Sequence, residues 1–207
     1  MTCIFDTAAS ICRSFWPMIV ALIVVSSNSV QAGWNATPEI IEQHPTWIYT
    51  PSTAMDDGKH SLLIVLHGCA QTHTEMKNFG NLVPTAEANG TVVAIPFVGS
   101  ESVSLQCWDY DRASDGSGHI VELVNLTNAL KSRPSLNIDQ NHVYIVGLSS
   151  GAAMTLAVGC KAPDVFAGVG AIAGPSVGSS QNIGTADASA LPLDNVSNAT
   201  AKCKSLA

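Results

Sequence analysis

Apolar residues come along this chain in short unbroken blocks separated by longer mixed stretches. "SLLIVLHG" (61–68), "TVVAIPF" (91–97), "HVYIVG" (142–147) and "FAGVGAIAG" (166–174) are each too short for a buried helix and bounded by turn signals. Such blocks predict strands buried on both faces. Between them the period changes. Residues 74–89 predict a helix that stops at Asn89-Gly90, and residues 117–132 carry Ile120, Leu123, Val124 and Leu130 at helical spacing. "SGAAMTLAVGCKA" predicts a third helix, stopped by Pro163. Strands alternating with helices imply an α/β fold, with a mainly parallel sheet, right-handed crossovers and helices on both faces. "TWIYTP" (46–51) is expected to add an outer strand. Two segments show no period. Residues 98–118 form a long loop containing Cys107, Trp108 and Tyr110, and residues 175–200 are rich in Ser, Gly, Ala and Asn.

The N-terminus follows a different pattern. "FWPMIVALIVV" (15–25) follows Arg13 and leads into "SSNSVQA", with the small residues Val30 and Ala32 spaced as at a cleavage site. Residues 1–32 are therefore expected to be a secretory signal peptide, leaving 33–207 as one domain. The competing reading, a membrane anchor, needs a run of about 18 residues or more, so no stable anchor is expected after cleavage. Export changes the meaning of the cysteines. Cys69, Cys107, Cys160 and Cys203 remain, an even set in an oxidising compartment. Of the three possible pairings, Cys69–Cys107 with Cys160–Cys203 is favoured, and four buried free thiols are the alternative. No CxxC pair or His/Cys cluster points to a metal, and no cofactor is expected. A net charge of -7 without a basic cluster argues against nucleic acid as a partner.

One stretch carries candidate chemistry. Gly147-Leu148-Ser149-Ser150-Gly151 fits G-x-S-x-G. In that turn a serine stands between a strand and a helix, and its neighbours two residues away must be small to avoid collision across the turn. The pattern alone is permissive, for "GPSVG" (174–178) matches it too. Context separates the two. Ser149 follows a predicted strand and opens a predicted helix, whereas Ser176 is followed by "GSSQNIGTADAS", which has no helical pattern. Ser149 is therefore the expected nucleophile. "LHGCAQT" (66–72) sets a His-Gly turn directly after a strand, where a backbone N–H can join that of the residue after the serine in an oxyanion hole. The donors would be the amides of Cys69 and Ser150. His67 is read as shaping this loop, with a role as catalytic base as the alternative. Trp108, with Tyr110, is a candidate substrate wall, against simple packing of the long loop.

"LHGCAQT", "CWDY", "VYIVGLSSGAAMT" and "APDVFAGVGAIAG" together resemble secreted polyhydroxybutyrate depolymerases and the related feruloyl and acetylxylan esterases, over roughly 45–180. The resemblance implies an α/β-hydrolase fold and a Ser-His-Asp triad, with Ser149 as nucleophile and Cys69 and Ser150 at the oxyanion positions. The family's cysteine next to its tryptophan matches Cys107, which supports a bond to Cys69. It implies a secreted serine esterase acting on a polyester or small ester through an acyl-enzyme. The alternatives are a feruloyl or acetylxylan-type carbohydrate esterase, or a non-catalytic remnant. In this fold the triad runs serine, acid, histidine along the chain, and after Ser149 there are Asp164, Asp187 and Asp194 but no histidine. The domain is accordingly expected to be partial and its sheet incomplete at the C-terminal edge.

Overall fold

The computed structural model describes residues 32–99, 104–110, 118–177 and 196–207. The expected signal segment falls outside these, apart from its last residue. Seven strands form one sheet: β1 (Gly33–Trp34), β2 (Glu39–Ile41), β3 (His44–Thr50), β4 (His60–Leu66), β5 (Thr91–Pro96), β6 (Ile138–Leu148) and β7 (Gly168–Ile172). The order is β1-β3-β5-β4-β6-β7, with β2 paired to β3. β5, β4, β6 and β7 are parallel, while β3 runs antiparallel to β5 and carries β1 and β2. The mainly parallel α/β sheet is thus as expected, and "TWIYTP" does belong to a strand, β3, but not an outermost one, because β1 and β2 lie beyond it. Among the described residues β7 pairs only with β6, and its Val169 and Ile172 are exposed.

The apolar blocks of β4 and β5 are continuous because both faces are covered, whereas that of β7 is largely exposed. Leu62, Ile64 and Leu66 of β4 join one core with Val143, Ile145, Leu123, Leu126, Leu130, Met154 and Val158. That core lies under α3 (His119–Lys131) and α4 (Ser150–Lys161). Val65, Val93 and Ile95 join a second, smaller core with Ala86, Leu82 and Met76, under α1 (His73–Phe79) and α2 (Leu82–Asn89). α5 (Val196–Leu206) packs on α4 and sends Leu206 into the larger core. The Cys160–Cys203 disulfide joins α4 to α5, and Cys69–Cys107 is the other bridge. Both pairings are the favoured ones.

The single helix expected over 74–89 is two helices. α1 ends at Gly80, and Asn81 takes a left-handed conformation (φ 47°) before α2 begins. Pro84 is the reason. It has no N–H to donate back to Gly80, and its ring would strike that carbonyl in a continuous helix, whereas the first turn of a new helix accepts it. A capping box starts α1, in which the Thr72 hydroxyl accepts from the Glu75 N–H and the Glu75 carboxylate accepts from the Thr72 N–H. Among the described residues no helix is long and apolar enough to cross a membrane.

Candidate active site

Ser149 is the one residue between β6 and α4. Its φ of 54° and ψ of -118° lie where a residue with a side chain is strained. Flanking elements impose the strain. The Ser149 N–H donates to the Ile172 carbonyl at 3.0 Å, and its carbonyl accepts from Ala152 and Ala153 at 3.0 and 3.2 Å. The glycines of the motif are sterically required. A Cβ on Gly147 would lie 2.2 Å from the Gly151 carbonyl oxygen, and one on Gly151 would lie 2.5 Å from that of His67. The first glycine of the decoy belongs to the same turn. A Cβ on Gly174 would lie 2.5 Å from the Ser149 carbonyl oxygen and 2.4 Å from the Ala152 Cβ. Ser176 itself sits in irregular backbone after β7.

Opposite Ser149 stands the 67–72 loop. A Cβ on Gly68 would be 3.1 Å from the Ser149 Cβ, so the two segments are in contact. Almost every amide of this loop has an acceptor. Gly68 donates to the Gln71 side-chain oxygen at 2.7 Å, Ala70 to the Leu105 carbonyl at 2.7 Å, Gln71 to the Gly68 carbonyl at 3.3 Å and Thr72 to Glu75 at 2.7 Å. The Cys69 N–H has no acceptor among the described residues. Across the contact, the first amides of α4 have none either. Ala152 and Ala153 share the Ser149 carbonyl, which leaves the N–H groups of Ser150 and Gly151 open. The Ser150 hydroxyl is buried with no partner among the described residues. Two open amides on touching segments, one at a helix N-terminus, can stabilise an oxyanion.

His67 is fully buried. Its Nδ1–H donates to the Gly68 carbonyl at 2.8 Å and its Nε2 accepts from the Val98 N–H at 3.2 Å. Burial pushes its pKa down to about 4. A ring with both nitrogens held by backbone is no catalytic base, so the reading of His67 as a loop-shaping residue stands over the alternative. Trp108 is the expected substrate wall. It is fully buried, its Nε1–H donates to the His67 carbonyl at 2.9 Å, and the rings of His44, His67 and His119 lie 5.3–5.6 Å from its own. Tyr110 is buried in the same core. Both aromatics pack into the larger core. His44 lies against Glu122 at 2.9 Å, His119 against Asp109 at 2.8 Å and His142 against Asp139 at 3.1 Å. The His73 ring nitrogens are buried without hydrogen bonds and its ring stacks on Phe97 at 4.9 Å. No described side chain hydrogen-bonds to the Ser149 hydroxyl, and among the described residues no group of three His, Cys, Asp or Glu side chains is placed to hold a metal ion.

Two contributors to this geometry lie outside the expected site. Gln71 stands inside the quoted "LHGCAQT", three residues after Gly68, a spacing that lets a side chain close back on a turn. Leu105, exposed and in a left-handed conformation (φ 64°), sits in the long loop, where nothing in the pattern marked it.

A mainly parallel sheet with helices on both faces, and a strained serine between a central strand and the next helix, define the α/β-hydrolase esterases. The comparisons agree. The model of the family described as Esterase PHB depolymerase matches residues 46–193, and the chain belongs to that family. It is 39% identical over 142 residues to a poly(3-hydroxybutyrate) depolymerase of Ralstonia pickettii, covering 64% of this chain and 29% of that protein. It is 28% identical over 145 residues to feruloyl esterase B of Talaromyces stipitatus, covering 68% and 38%. An acetyl xylan esterase from Aspergillus awamori shares the fold with a TM-score of 0.59 at 22% identity, over 72% of this chain and 54% of that one. The chain therefore spans only about a third of the length of these curated relatives.

Proposed function

We propose that this chain is a secreted serine esterase that hydrolyses ester bonds through an acyl-enzyme on Ser149. Family membership supports ester hydrolysis. The observation that carries the serine mechanism is the strained Ser149 between β6 and α4, with open amides on Cys69 and Ser150 beside it. In this reading the Ser149 oxygen attacks the ester carbonyl, and the hydroxyl proton passes to the departing alkoxide. The carbonyl oxygen, gaining charge, is held by the two N–H groups, and the alcohol leaves. Water then attacks the acyl-enzyme and releases the acid. Substrates are polyesters or small esters, as the named depolymerase relative supports, with feruloyl and acetylxylan esters as the second class. Export is supported by the two disulfides and by the apolar N-terminal run before a small-residue site.

The test offers the chain p-nitrophenyl butyrate and, separately, a fluorophosphonate, with the labelled residue located by mass spectrometry. Turnover and a label on Ser149, both lost in Ser149→Ala, are expected. Turnover that survives Ser149→Ala, or a chain that neither turns over nor takes the label, would refute the proposal. The second of these results would favour the non-catalytic remnant.

A further inference from the structure

We propose that Gln71 is a positioning residue of this esterase: it captures the Gly68 N–H and so leaves the Cys69 N–H as the loop's one oxyanion donor. The inference rests on the serine-esterase reading and adds to it the device that sets the hole.

The 68–71 turn, which meets Ser149 at Gly68, carries two consecutive amides, Gly68 and Cys69. Only one can be aimed at a single oxyanion without competition from the other. The Gln71 side chain folds back over its own turn, and its oxygen accepts from Gly68 at 2.7 Å, much shorter than the 3.3 Å backbone bond of the same turn. That oxygen lies 2.8 Å from the place a Gly68 Cβ would occupy, and the Ser149 Cβ lies 3.1 Å from the same place. Gln71 and the nucleophile therefore share the space that the absent side chain leaves free. The opposite side of the loop is held by other means. Ala70, in a left-handed conformation (φ 55°), donates to Leu105, Cys69 is bonded to Cys107, and Trp108 donates to His67. Those ties anchor the loop to the protein body. Gln71 is the tie on the side of Ser149, and it decides which amide stays open. A shift of about 1 Å in such a group can cost about 100-fold in rate.

The experiment compares the full chain with Gln71→Met, which keeps the volume and loses the acceptor, and Gln71→Glu, which keeps an acceptor oxygen. Backbone amide exchange at Gly68 and Cys69 is followed by NMR, and p-nitrophenyl butyrate turnover is measured on the same samples. In the wild type, Gly68 is expected to be protected and Cys69 to exchange freely. Gln71→Met should speed Gly68 exchange about tenfold, the effect of one lost hydrogen bond. It should also lower kcat about 10- to 100-fold with KM little changed, since the oxyanion exists only after attack. Gln71→Glu should restore Gly68 protection. Unchanged Gly68 exchange in Gln71→Met would overturn the proposal, as would faster exchange with unchanged kcat. A wild type without Ser149-dependent turnover would refute the esterase reading instead. Gly68 exchange would then decide alone whether Gln71 fixes the loop.

Discussion

Mild acid should destabilise this protein, and His67 should be the main cause. The imidazole is fully buried, donates to Gly68 and accepts from Val98, and so is held neutral. Its pKa falls from 6.5 to about 4 on folding. Between those values the unfolded chain binds a proton that the folded chain refuses, so stability drops as the pH falls through this window. Above about pH 6.5 the contribution is fully present, and below about pH 4 the loss is complete. The full shift corresponds to about 3 kcal/mol, of which about 2 kcal/mol is lost between about pH 7 and pH 4.5. That is a large part of a stability of about 5–15 kcal/mol. Burial also lowers the pKa of His44 and His73, which deepens the slope in the same direction. Glu87 and Asp139 have lowered carboxyl pKa values, held there first by bonds from Ser52 and the Asn141 amide respectively, and they release their contributions only at lower pH. Urea unfolding, followed by the fluorescence of buried Trp108 at several pH values with the disulfides intact, measures the slope. His67→Gln, which does not titrate, should flatten it. A urea midpoint unmoved between about pH 7 and pH 4.5, or an NMR titration of His67 near 6.5, would refute the reasoning.

Two further outcomes follow from the same geometry. Gly151→Ala places a Cβ 2.5 and 2.7 Å from two backbone carbonyl oxygens that cannot swing aside, so a loss of more than about 3 kcal/mol is expected; an unchanged thermal midpoint would contradict it. Replacing Cys160 and Cys203 together by serine opens a link between residues 43 apart, and the chain-entropy relation gives a loss of about 4 kcal/mol in urea unfolding. A loss below about 1 kcal/mol would mean that α5 docks on α4 without the bond's help.

The parallel strands were legible because burial on both faces removes the polar alternation that would otherwise blur them. Recognising them needs no turn chemistry, only four short apolar blocks with helices between. The break between α1 and α2 was readable in principle from Pro84, yet the apolar spacing on either side masked it. The surroundings of Trp108 were hidden for a different reason. A tryptophan in a long loop looks like a surface feature, and nothing local reveals that His44, His67 and His119 come from three other elements to enclose it. Gln71 was hidden in a motif already singled out. Its role depends on a side chain folding back onto Gly68, which the residue order permits but does not require.

The ambiguity between the two G-x-S-x-G matches has a physical root. A reactive serine needs backbone N–H groups near its oxygen, and backbone can come that close only where side chains are missing. Gly147 and Gly151 clear the crossing of strand and helix. Gly68 clears the approach of the 67–72 loop, and Gly174 lets the chain after β7 pass the Ser149 carbonyl. The motif contains only two of these four positions. Gly174 supplies the first glycine of the second match because it serves the first serine's turn, so the decoy is partly a by-product of the site it imitates. A pattern search that counts glycines cannot separate the two. The distinction lies in what each glycine is close to, and three of the contacts, at Gly68, Gly151 and Gly174, join segments far apart in the sequence.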